Sequence, residues 1–115
     1  MHRHIKRQEI QRLLDAKAPM TLVESLPESY YAQGHLPGAI NLPHDRVRER
    51  AAGLLPDKSA FIIVYCANTP CQNSTIAVRT LEDLGYINVA EYLEGKQDWV
   101  EAGLPLEVPA MEDAS

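Results

Sequence analysis

The stretch AFIIVYCANTPCQNS, residues 60–74, decides how this chain folds. Ala60 to Tyr65 are apolar without alternation, the pattern of a central strand in a parallel sheet whose two faces are both covered by helices. Residues 67–73 carry no charge and no periodicity, which predicts a loop. Ser74 then reads as the N-cap of a helix with Ala77, Leu81 and Leu84 on one face, ended by Gly85. Cys66 is thereby placed where a buried strand hands over to a loop and a helix.

Working outward, Ile10, Leu13 and Leu14 mark an amphipathic helix between Ile5 and Ala16. Thr21 to Glu24 is β-prone, a polar segment runs through Tyr31, and Gly34-His35-Leu36-Pro37-Gly38 is rich in turn formers. Ala39 to Leu42 reads as a second short strand. Asp45 is the expected N-cap of a helix carrying Val47, Ala51, Leu54 and Leu55, stopped by Pro56. On the other side, Asn88 to Leu93 supplies a strand, Gly95 a turn, and Trp99 with Ala102 the inner face of a last helix before Gly103. Strands alternating with helices predict an α/β sandwich with a mostly parallel sheet.

The chain has 115 residues, enough for one core, and the expected division is a single domain over residues 1–108 with a short flexible tail over 109–115. Eleven Lys and Arg against sixteen Asp and Glu leave a charge of −5, which argues against nucleic acid or an anionic membrane as the main partner. No apolar run approaches the roughly 18 residues of a membrane span, and the N-terminus lacks a signal peptide's apolar segment, so the chain reads as cytoplasmic. Two cysteines make no disulfide framework, and a reducing compartment leaves both available for chemistry.

Ligands in open α/β sheets bind at the carboxyl ends of strands. If the amides of Ala67, Asn68, Thr69, Cys71, Gln72 and Asn73 turn inward around Pro70, with the helix from Ser74 behind them, they form an anion cradle. Such a cradle lowers a thiol below its free value of about 8.5 and makes Cys66 a nucleophile. Position alone leaves a second reading open, an inert buried thiol.

GHLPGAINLP at 34–43, VYC at 64–66, and the series Ser74, Ala77, Leu81, Gly85, Asn88-Val89, Gly95, Trp99, Gly103-Leu104-Pro105 occur in order and at matching separations. Together they resemble the rhodanese-like sulfurtransferase family, from about Leu22 to Pro105. The resemblance implies a three-layer α/β sandwich, helices on both faces of a mostly parallel sheet, and a persulfide cycle. In that cycle Cys66 takes a sulfane sulfur from a small-molecule or protein-bound persulfide donor and passes it to a thiol or cyanide acceptor. It implies no metal and no cofactor, and says nothing of oligomeric state. The alternative within the same fold is a non-catalytic thiol/disulfide module that senses redox state or docks a partner.

The chain departs from that family's pattern at named places. The usual loop Cys-x-x-Gly-x-Arg is absent, and no Arg or Lys stands between Cys66 and Ser74, which makes dianionic thiosulfate a doubtful donor. Leu26 stands where the family often has Arg, Glu24 at the usual Asp, and Glu94 at the first of a Gly pair. Phosphatase-type chemistry needs an Arg six residues after the nucleophile, where Gln72 stands. Zinc binding lacks a second close ligand pair. Cys71 completes a C-x4-C pair and is a candidate relay or resolving thiol, or else a small loop side chain. His35 reads as a hydrogen-bonding group that fixes its turn, and Trp99 as core.

Overall fold

The computed structural model describes residues 3–108. In chain order it contains β1 (Arg3–His4), α1 (Arg7–Asp15), β2 (Thr21–Glu24), α2 (Glu28–Gln33) and β3 (Ile40–Asn41). A 3-10 turn (His44–Arg46) leads into α3 (Val47–Leu54), β4 (Ile62–Tyr65), α4 (Asn73–Asp83), β5 (Val89–Tyr92) and α5 (Gly95–Glu101). The five strands pair in parallel in the order β1-β5-β4-β2-β3, with β4 in the middle.

Alternate residues of β4 point to opposite layers, as strand geometry requires. Ile62 and Val64 pack with Val47 and Ala51 of α3 and with Ala77, Val78 and Leu81 of α4. Ile63 and Tyr65 pack with Ile10 of α1 and Trp99 of α5. Both faces of the sheet are thus covered, giving the three-layer α/β sandwich. No helix among the described residues is long and apolar enough to cross a membrane.

Several local expectations are corrected. The first strand, Arg3–His4, is polar and exposed; main-chain pairing to β5 holds it, and its side chains carry no pattern. The polar segment before Gln33 is helical, α2, with no buried residue and therefore no apolar stripe to betray it. Asp45 lies inside the 3-10 turn and caps nothing, Leu54 is exposed while Leu55 is buried, and Ala102 faces solvent. The central strand starts at Ile62 rather than Ala60. Trp99 is core, its Nε1 donating to the Pro105 carbonyl at 2.8 Å. His35 is buried, stacks on Tyr31 and sits 3.1 Å from the Tyr31 carbonyl, so it does fix its turn. The tail expected over 109–115 lies outside the described residues.

Candidate active site

Cys66 follows β4 directly, between the ends of β2 and β5, and is fully buried. The loop after it rests on the first turn of α5. The Lys96 amide donates to the Cys66 carbonyl at 2.9 Å, and the Gln97 amide donates to the Ala67 carbonyl at 2.8 Å. That contact needs Gly95: its φ is +69°, and a Cβ there would lie 2.5 Å from the Cys66 carbonyl oxygen. Glu94, in place of a first glycine, makes a surface pair with Lys6 at 2.6 Å.

Cys66 and Cys71 are joined in a disulfide, with Cα atoms 6.5 Å apart, inside the usual span for such a bridge. The Cys71 amide donates to the Asn68 carbonyl at 3.1 Å, closing the turn that brings the sulfurs together. Thr69, Pro70 and Gln72 are exposed; Ala67, Asn68, Cys71 and Asn73 are half-buried. Two expectations are corrected here. Asn73 is the first residue of α4 and not loop, and Gln72 occupies the cap position with no side-chain bond. Ser74 lies within the first helical turn, where its buried Oγ donates to Glu91 Oε2 at 2.5 Å and stands 3.5 Å from Cys66 Sγ.

Two buried carboxylates flank this strand end. Glu24, at the end of β2, accepts from the Tyr65 hydroxyl at 2.7 Å and from Lys96 Nζ at 2.9 Å. The same hydroxyl accepts from the Leu36 amide at 3.1 Å, and burial with Glu24 alongside drives the Tyr65 phenol well above its ordinary value. Glu91, on β5, accepts from both Ser74 and Thr75 Oγ1, the latter at 2.8 Å, and its other oxygen lies 3.6 Å from His4 Nε2. Sequence reasoning missed Glu91, Tyr65 and Lys96 as site residues. For Glu91 a signal existed, because a charged residue inside an expected buried strand needs a partner. Lys96 had none, since its partner is 72 residues away.

A cavity of about 510 Å³ opens beside the loop at Ala67 and Asn68, with Leu26, Tyr30, Val100 and Leu106 in its walls. Leu26 makes this wall apolar where an Arg was the expected family residue. Lys96 also reaches the cavity, but its charge is committed to Glu24.

The structure defines a parallel α/β sandwich with a cysteine at the carboxyl end of its central strand. Residues 2–102 match the rhodanese-like domain family, to which this chain belongs. It is 37% identical over 103 residues to the HTH-type transcriptional regulator Rv0324 of Mycobacterium tuberculosis, covering 90% of this chain and 44% of that protein. It is 41% identical over 64 residues to the thiosulfate sulfurtransferase PspE of Escherichia coli, covering 56% of this chain and 59% of that one. The chain therefore spans less than two thirds of the length of these curated relatives. Among solved structures, the thiosulfate sulfurtransferase of Pseudomonas aeruginosa superposes with a TM-score of 0.82 at 30% identity, over 95% of this chain and 21% of that chain.

Proposed function

We propose that this chain is a cytoplasmic sulfurtransferase in which Cys66 accepts a sulfane sulfur, carries it as a persulfide and delivers it to a thiol or cyanide acceptor. The observation that carries this reading is the position of Cys66, immediately after the central strand and ahead of α4, in a rhodanese-like chain. The disulfide with Cys71 is an oxidised form, and reduction frees the nucleophile. The amides of residues 67–73 other than Cys71, whose N–H is held by the Asn68 carbonyl, and Pro70, which has none, then serve as the cradle for the terminal sulfur.

The donor is a persulfide, free or protein-bound, rather than thiosulfate. The loop carries no cation, and Lys96 nearby is neutralised by Glu24. Cys66→Ser is expected to abolish transfer from glutathione persulfide to cyanide, measured as thiocyanate. Transfer retained in that variant overturns the assignment. Wild-type turnover with thiosulfate equal to that with glutathione persulfide overturns the donor class alone.

The disulfide favours one second reading, a thiol/disulfide module that changes state without transferring sulfur. Mass spectrometry of the reduced chain after exposure to glutathione persulfide separates the two. A gain of about 32 Da on Cys66 supports transfer, and a loss of two hydrogens with no product on any acceptor supports the switch.

A further inference from the structure

The cavity of about 510 Å³ beside Ala67 and Asn68, the two residues that follow Cys66, has no part in the chemistry assigned so far. Its walls are apolar, with Leu26, Tyr30, Val100 and Leu106 contributed by four separate segments of the chain. Tyr30 and Val100 are left 51% and 49% exposed. Apolar side chains of that size, standing in water around a concave opening beside a nucleophile's loop, mark a surface that a ligand covers.

Two ionic side chains reach the same cavity. Lys96 Nζ is held by Glu24 at 2.9 Å and by the Tyr30 carbonyl at 3.2 Å. Glu101 is exposed and accepts from the neutral side-chain amide of Gln97 at 2.9 Å, so that partner brings no cation. An incoming molecule therefore meets apolar area and a carboxylate, with no uncommitted cation among the described residues that line the cavity.

We propose that this cavity binds the carbon body of the sulfur donor, that the donor is a small apolar persulfide without a carboxylate, and that Leu26 sets this preference. The inference deepens the sulfurtransferase reading above and rests on it. The donor R–S–SH lies with R against Leu26, Tyr30 and Val100 and with its sulfurs along Ala67 and Asn68. The Cys66 thiolate attacks the outer sulfur, a new S–S bond forms, and the donor's S–S bond breaks. Its electron pair leaves on R–S⁻, which takes a proton from water. The outer sulfur keeps its hydrogen, and no oxidant or reductant is consumed.

Two effects select for such a donor. Burying R removes apolar area from water on both partners. A carboxylate on R would leave water beside Leu26 with no cation to receive it, and would approach Glu101. A guanidinium at position 26 would reverse the second effect by giving that carboxylate a partner.

The test compares three donors on the reduced chain with cyanide as acceptor. It reads kcat/KM for thiocyanate, each value divided by that donor's uncatalysed rate with cyanide. Benzyl persulfide and its 4-carboxy derivative share a ring and differ in charge, whereas glutathione persulfide is anionic and has no ring. Benzyl persulfide is expected to exceed each of the other two by about tenfold or more. Leu26→Arg should favour the carboxylated benzyl donor over the plain one. Leu26 is buried, so Val100→Lys supplies the same test from an exposed position and should narrow the preference for the plain donor by about threefold or more. Ile87→Lys adds the same charge ahead of β5, at the opposite edge of the sheet from Cys66, and should leave the ratio unchanged.

A second readout needs no turnover. Benzyl methyl sulfide has no sulfane sulfur to give, and its titration into the reduced chain should shift the amide NMR signals of Tyr30, Val100 and Leu106. A kcat/KM for either anionic donor equal to or above that of benzyl persulfide, or an equal narrowing in Ile87→Lys, overturns the donor class while transfer through Cys66 stands. Unmoved signals with benzyl methyl sulfide overturn the cavity as the binding site. A chain that takes sulfur from none of the three donors sinks the sulfurtransferase reading, and the donor class with it.

Discussion

Glu24 and Glu91 are both buried carboxylates beside the end of β4, one reached from β2 and the other from β5, on opposite faces of the sheet. Their surroundings differ. Glu24 has a cation, Lys96, and a phenol, Tyr65. Glu91 accepts from two hydroxyls and lies 3.6 Å from the exposed His4. A buried charge with a cation at 2.9 Å is neutralised on the spot and ties α5 to the sheet beneath the loop. A buried carboxylate that accepts from Ser74 and Thr75 ties the first turn of α4 to β5. One carboxylate therefore fixes α5 beneath the loop, and the other fixes the start of α4 behind it.

The largest stability effect should come from breaking the first arrangement. Lys96→Met leaves Glu24 buried with no cation and should cost about 3–5 kcal/mol in urea unfolding. Adding Glu24→Gln to that variant should recover most of the loss. If it recovers none, Lys96 acts through packing and the contrast with Glu91 weakens. Next is Tyr65→Phe, which strands the Leu36 amide and one Glu24 oxygen and should cost about 1–3 kcal/mol.

The same variant carries a pH signature. The folded chain holds the Tyr65 proton to higher pH than the unfolded chain does, so above about pH 10 the unfolded state binds fewer protons and stability falls as pH rises. Tyr65→Phe should flatten that alkaline decline in urea midpoints. Part of the slope should remain, because burial and a hydrogen bond to Asp98 also raise Tyr92. The smallest effect is expected on the other side: Glu91→Gln should change the thermal midpoint by an amount equivalent to about 1 kcal/mol or less, since the amide oxygen still accepts from Ser74 and Thr75. A loss as large as that of Lys96→Met would make the two carboxylates equivalent and erase the comparison.

The elements that sequence pattern places well are those with a covered apolar face. The strands at Thr21–Glu24 and Val89–Tyr92 and the helix through Ile10 show this, as does β4 itself. The elements it misses have no such face. Arg3–His4 is an exposed edge held by main-chain bonds, and α2 buries nothing. At the site, Cys66 and the Ser74 that follows it are legible because they belong to one contiguous stretch. Ser74 was legible for the wrong reason, as a cap, while its hydroxyl serves Glu91.

Local composition and spacing were sufficient to assign the α/β layering, the strand that carries Cys66 and the nearness of Cys71, because each depends on residues close along the chain. The pairing of Glu24 with Lys96 and the line from Cys66 through Ser74 to Glu91 were settled only by the folded chain. Both join groups brought together when parallel strands align at their carboxyl ends, and hydrogen bonding and charge act over distances in space that are unrelated to separation in sequence.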